Sequence, residues 1–224
     1  MIGLNNKYAV VSGWAPVDKT TTAVSDIISL KNYNQAEIYL MTGAAIGQAF
    51  NVALYQGVSV SSCATLLPFT RYYESGMMLK YDGASSSVAA ASGGTVAGAG
   101  GAAATIYEDR GGVLVLNKWD ADVFVDNEAL TFSNGKTAVV DGTLYNEDAM
   151  IPTILTAGVD LFAIATTDTS KMYCIPVNGG MLTDGNDCIA VHLATPATAT
   201  LMACFVVLSE PRFSGTPMPT AIYD

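Results

Sequence analysis

From Tyr8 to Leu208 the chain alternates short β-type runs with Gly-containing turn signals. No stretch of ~12 residues carries the capped three- and four-residue apolar spacing that a helix needs. The runs are Tyr8–Ser12, Ala36–Met41, Phe50–Tyr55, Met77–Tyr81, Thr105–Glu108, Val113–Lys118, Val123–Val125, Ala138–Val140, Leu161–Ala165, Met172–Val177, Cys188–Leu193 and Thr198–Leu208. Between them stand Ser75-Gly76, Asp82-Gly83, Asn134-Gly135, Asp141-Gly142, Asn178-Gly179-Gly180 and Asp184-Gly185. Asn-Gly and Asp-Gly suit tight hairpins because both central residues must reach positive φ. In Phe50–Tyr55 the alternation puts Phe50, Val52 and Leu54 on one face and Asn51, Ala53 and Tyr55 on the other. Short strands at this spacing predict an all-β protein, a jelly-roll-like β-sandwich with a Gly/Ala-rich insertion. Strand–helix alternation is missing, which argues against a doubly wound nucleotide fold.

The insertion is marked by Gly83–Ala102, built only from Gly, Ala, Ser, Thr and Val. Such a composition offers little to anchor a core and raises the entropic cost of ordering. It predicts a flexible surface excursion, with close packing against a neighbouring subunit as the alternative. The organisation expected is residues 1–75 as the N-terminal part of the sandwich, 76–158 as the insertion, and 159–224 as the C-terminal part with an extended tail.

Charged residues make up 13% of the chain, about half the usual ~25%. Ten Lys and Arg against twenty Asp and Glu give a net charge of −10. This speaks against nucleic acid, whose binding rests on neutralising phosphates, and against a basic membrane-surface helix. No run approaches the ~20 apolar residues of a membrane helix, and Met1–Lys7 does not read as a signal peptide. A monomer of 23.3 kDa exposes about 9,700 Å², over which so few charges are sparse. A surface of that kind is expected to be partly covered, as in an obligate oligomer or a lattice.

No constellation for chemistry stands out. The four cysteines, Cys63, Cys174, Cys188 and Cys204, are widely spaced among small or apolar residues and read as buried thiols, with a Cys174–Cys188 disulfide as the alternative. The one histidine, His192, sits in a strand pattern with no nucleophile elbow in the chain. Gly98-Ala99-Gly100-Gly101 lacks the Lys and the following helix of a phosphate loop. Asp120, Asp122, Asp126 and Glu128 form an acidic cluster, read as a solvated rim with a divalent cation as the alternative. No catalytic, metal-binding or cofactor-binding residue is assigned, and no cofactor is expected.

Two blocks carry a resemblance. The first holds Asp26-Ile27-Ile28-Ser29-Leu30-Lys31-Asn32-Tyr33-Asn34, then Val52-Ala53-Leu54-Tyr55-Gln56-Gly57 and Pro68-Phe69-Thr70-Arg71-Tyr72-Tyr73. The second runs from Met172 to the end and closes on Pro211-Arg212-Phe213 and Pro217-Met218-Pro219-Thr220-Ala221-Ile222-Tyr223-Asp224. Both blocks resemble a family of tailed-bacteriophage virion structural proteins, whose members carry similar "V-S-L-K-N-Y-N", "F-T-K/R-Y-Y/W" and "P-x-P-[ST]-A-I-x-D" stretches. The resemblance is absent from Gly76 to about Gly158. It implies a non-enzymatic capsid cement or decoration subunit on the virion surface, assembled in the host cytoplasm. The implied partners are the major capsid protein and copies of itself, in a trimer or dimer, with no nucleic acid or membrane. Candidate partner contacts are Trp14, Phe213, Met218, Ile222 and Tyr223. The alternatives are a tail, neck or head-fibre component, or a carbohydrate-binding module built on Trp14, Trp119 or Tyr72-Tyr73.

Overall fold

A computed structural model describes residues 8–19, 21–83, 93–117, 124–142, 150–156, 160–166, 168–194 and 200–212. Strands dominate these residues, with a single 3-10 turn at Gly179–Met181 and no α-helix. The chain folds as two compact units, residues 1–73 with 152–224, and residues 74–151.

The first unit holds two antiparallel sheets. The larger has the spatial order β1 (Tyr8–Lys19), β18 (Thr200–Pro211), β4 (Tyr33–Ile46), β16 (Met172–Asn178), β7 (Arg71–Ser75) and β14 (Met150–Ile154). The smaller has β15 (Leu161–Ile164), β5 (Phe50–Gly57), β17 (Cys188–Leu193) and β2 (Ala23–Val24), with β3 (Ile28–Ser29) on β17 and β6 (Thr65–Leu66) on β5. Strand β18 bonds to β1 on one side and β4 on the other, so segments far apart in the sequence meet in one sheet. The chain leaves this unit within β7 and re-enters it within β14.

One core fills the space between the sheets. Ile38, Leu40, Ile175, Val206 and Leu208 of the larger sheet meet Val52, Leu54, Phe162, Ile164 and Val191 of the smaller, all but fully buried. Phe162 stacks on Tyr72 with centroids 4.1 Å apart and touches Tyr173 at 5.3 Å. In β5 the buried residues are Phe50, Val52 and Leu54, the face that the alternation predicts.

The second unit is a closed six-stranded barrel, in the order β10 (Ala103–Asp109), β11 (Val113–Asn117), β8 (Met77–Asp82), β13 (Thr137–Val140), β12 (Ala129–Phe132) and β9 (Thr95–Gly98), with β9 closing onto β10. Closure removes the open sheet edges that invite aggregation. Its core contains Leu79, Val96, Ile106, Leu114, Leu130 and Phe132. The Asn134-Gly135 signal makes the β12–β13 hairpin, where Gly135 has φ +79° and donates to the Phe132 carbonyl at 2.8 Å.

Two expectations are corrected here. Residues 93–102 are not a surface excursion: Thr95–Gly98 is a barrel strand, and Val96 and Ala102 are buried. Small residues suffice because β9 is held by ladder bonds on both sides and needs only Val96 to reach the core. Residues 84–92 of that stretch lie outside the described residues. The expected run at Val123–Val125 is not a strand at its described positions, Phe124 and Val125; Phe124 is instead buried in the barrel core from a loop.

Candidate interaction surfaces

The outer face of the larger sheet is built by β18 and its neighbours. Along β18 the buried residues Met202, Cys204, Val206 and Leu208 alternate with the partly exposed Leu201, Ala203, Phe205 and Val207. Both faces of this strand are therefore apolar, the pattern of a strand covered on both sides. The register lines up Val10, Val207 and Glu37 in one row, then Phe205 with Tyr39, then Ala203, Met41 and Met172. Phe205 and Tyr39 stack with centroids 4.9 Å apart and 9° between planes. Val10 is 57% exposed, Met41 44% and Leu201 45%. Among the described side chains of β1, β18, β4 and β16 the charges on this face are Glu37, whose carboxylate accepts a 2.8 Å bond from the Tyr39 hydroxyl, and Asp18 at the far edge opposite Leu201, with Arg71 exposed on β7. Burial, reinforced by Glu37, pushes the Tyr39 phenol well above its ordinary value, so the ring stays neutral. Four strands at ~4.8 Å spacing over about ten residues cover about 600 Å², the upper end of what monomers leave exposed and close to the ~800 Å² per partner of a stable complex.

A groove of about 640 Å³ opens at one end of the same unit. Phe69, Leu155, Val177 and Met181 line it with apolar surface, and Gln35, Glu37, Arg71, Asp160 and Asn178 add polar groups. Its walls are tied where the Leu155 amide donates to the Thr70 carbonyl at 2.8 Å. Close by, the Arg212 amide donates to the Asn32 carbonyl at 2.9 Å and its Nε to Asn34 Oδ1 at 2.9 Å.

All four cysteines are free and buried. Burial raises every thiol, with Cys63 and Cys174 pushed up to about 11. Cys188 and Cys204 are pushed up to about 12, and the Asp187 carboxylate 3.1 Å from the Cys188 sulfur adds to the rise. Thiolate is the reacting form, and three units mean roughly a thousandfold less of it near pH 8. Alkylation of the native protein at pH 8 is expected to be slower than in denaturant by about that factor at Cys188 and Cys204, read by mass spectrometry. The folded thiols bind protons more tightly than unfolded ones, so the stability they contribute is complete below about pH 9 and is lost as pH rises through 11–12.

Elsewhere the polar candidates serve local structure. Glu128 accepts backbone bonds from Gly100 and from Val125, the latter at 2.9 Å, and Asp126 accepts from Gly142 at 2.7 Å. Asp120 and Asp122 lie outside the described residues. Among the described residues no group of three or more potential ligands gathers for a metal ion, and no helix is long and apolar enough to cross a membrane. His192 stacks on Tyr55 at 3.9 Å, and burial lowers its pKa.

The expected contact residues divide in two. Trp14 is 9% exposed and belongs to the sandwich core, which corrects its assignment as a surface contact. A bulge between Ser12 and Trp14 is the reason: strict alternation from the buried Val11 would turn Trp14 outward, and the extra residue turns it in. Phe213, Met218, Ile222 and Tyr223 lie outside the described residues, as does Trp119. Of the aromatic residues considered for a carbohydrate, Tyr72 is buried against Phe162 and Tyr73 is half-buried. Sequence reasoning missed Tyr39, Met41, Phe205 and Val207. The signal was present in Leu201–Leu208, which has no polar partner in its alternation. No protein-family model matches the chain, and no curated protein matches it in sequence.

Proposed function

We propose that this chain is a non-enzymatic structural subunit of a tailed-bacteriophage virion, a cement or decoration protein on the capsid surface. The observation that carries the reading is the apolar, nearly uncharged outer face around Phe205 and Tyr39. A chain of net charge −10 repels its own copies, and they can approach only where charge is low. That face is such a place, and its size fits a self-complementary contact in a dimer or trimer. Both blocks that resemble phage virion proteins fall in the sandwich unit, while the barrel lies in the stretch without resemblance. A cement subunit works by adding buried area across lattice junctions, and it stabilises the assembled form by binding it in preference to its parts.

Proteomics of purified particles, heads separated from tails, tests this proposal. The chain is expected in the heads at a copy number comparable to the major capsid protein. Heads lacking it should form and then release DNA at a lower temperature. Recovery of the chain with tails alone would place it in the neck, tail or a fibre, and its absence from particles would end the structural reading.

A further inference from the structure

We infer that Cys63 and Cys188 form a latent disulfide site on the outer face of the smaller sheet, closed when the chain meets a small-molecule disulfide such as oxidised glutathione. The inference rests on how the loop after β5 packs, and it is independent of any role in a virion.

Strand β17 sends Ile189, Val191 and Leu193 into the sandwich core, and alternation turns Cys188 and Ala190 to the opposite face. Cys188 stands opposite Gly57 at the end of β5. The chain then turns back at Ser59–Ser62, where the Ser62 amide donates to the Ser59 carbonyl at 3.1 Å, and lays Cys63 over that same face. Gly57 makes the approach possible: a Cβ there would fall 1.8 Å from the Ser62 carbonyl oxygen and 2.9 Å from Cys63 Cα. Opposed residues on antiparallel strands have Cβ atoms ~4.5–5.5 Å apart. With the place of a Gly57 side chain taken by Cys63, the two cysteines stand at about the ~4.4–6.8 Å Cα separation of a disulfide. They share one small buried cluster with Ala190, Ile27, Tyr55 and Val60. Burial first, then the Asp187 carboxylate and then the Cys63 sulfur raise the Cys188 thiol, so the two sulfurs act on each other. Cys174 and Cys204 are placed differently. Cys174 pairs with Tyr39 on the outer face of the larger sheet, and Cys204 pairs with the buried Leu40 on its inner face.

Exposure sets the order of events, since Cys63 is 9% exposed and Cys188 1%. The Cys63 thiolate attacks one sulfur of the small disulfide, forming a mixed disulfide and releasing one small thiolate. The Cys188 proton leaves by way of Asp187 Oδ1, 3.1 Å from its sulfur, to water. The Cys188 sulfur then attacks the Cys63 sulfur, and the second small thiolate departs as the Cys63–Cys188 bond forms. Both released thiolates take up protons. Two protein thiols give up two electrons, and one small disulfide becomes two small thiols. The link joins strands that flank the barrel segment in sequence, more than a hundred residues apart, and pins the Ser59–Ser62 turn to β17.

Thiol mapping of the folded full-length protein tests this. The chain is incubated with oxidised glutathione at mildly alkaline pH, quenched with acid and mapped by mass spectrometry. The Cys63–Cys188 link should exceed any other pairing at least about tenfold, with Cys174 and Cys204 still reduced. Cys63→Ser and Cys188→Ser should each abolish it, and the Cys188→Ser chain should instead accumulate glutathione on Cys63. The linked protein should unfold at a urea concentration higher by about 1 M or more, because the bond closes a long loop. A mixture of pairings, a mixed disulfide on Cys63 of the parent chain that never resolves, or no oxidation at all would each overturn the inference. A linked form that unfolds at lower urea than the reduced one would overturn it equally, since the sulfurs would then be joined against the fold.

Discussion

Asp168→Ala is expected to cost the sandwich unit about 3–5 kcal/mol, the range for removing one partner of a buried ion pair. Lys171 has a side chain only 1% exposed, and its Nζ sits 2.7 Å from Asp168 Oδ1. The other carboxylate oxygen accepts the Ala165 amide at 2.7 Å. Thr42 locks the same corner: its hydroxyl donates to the Asp168 carbonyl at 2.6 Å, and its oxygen accepts the Lys171 amide at 2.9 Å. Truncating Asp168 removes the carboxylate 2.7 Å from a buried ammonium. The cost is mostly the desolvation of that charge and not the worth of the pair itself. Lys171→Met should therefore cost clearly less than Asp168→Ala, and the double variant should recover part of the loss. Urea titration followed by tryptophan fluorescence reads the effect, and at a slope of about 2 kcal/mol per M a midpoint lower by about 1.5–2.5 M corresponds to the stated range. Equal costs for the two single variants would show that the corner is held by backbone bonds and not by charge.

That ion pair shows where sequence reading stops. Asp168 and Lys171 are three residues apart in an unremarkable loop, and only the fold buries the Lys beside Thr42, which is far away in the chain. The legible parts were those with a local signal. Phe50–Tyr55 alternates because one face is buried and the other is not. Asn134-Gly135 and Asp184-Gly185 turn because their glycines sit at φ +79° and +88°. Strand β9 was hidden because its ladder bonds are made by backbone, which composition does not report, and Val96 alone carries its side-chain signal. Phe124 was misread for the opposite reason: its apolar run marks burial, and burial was reached from a loop. Trp14 turned on one inserted residue at a bulge. The apolar outer face was half legible. The apolar character of Leu201–Leu208 is plain in the sequence, but that Phe205 meets Tyr39 across β18 and β4 is a matter of register.

For the self-association proposed above, register makes Phe205 the residue on which the contact would turn. Phe205→Asp is expected to weaken self-association at least about 30-fold, the equivalent of the ~2 kcal/mol that defines a central anchor residue. Two effects add. The stacked pair with Tyr39 is lost, and a carboxylate is placed beside Glu37 on a surface that must shed water to meet its copy. The side chain is on the outward face, away from the core between the sheets, so the sandwich should keep its fold and lose at most the ~0.5–1.5 kcal/mol of one aromatic pair. Val58→Asp is the matched control, because Val58 is 68% exposed and lies outside this face. Sedimentation equilibrium of the two variants and the parent separates the effects: association should fall for Phe205→Asp and stay unchanged for Val58→Asp. If both variants fall together, added negative charge on a chain already at −10 is the cause, and the face has no special part in it. If the parent itself stays monomeric, the self-contact proposed above is refuted, and the proposed capsid role then requires Phe205→Asp to weaken binding of the chain to heads through an apolar surface of about 600 Å².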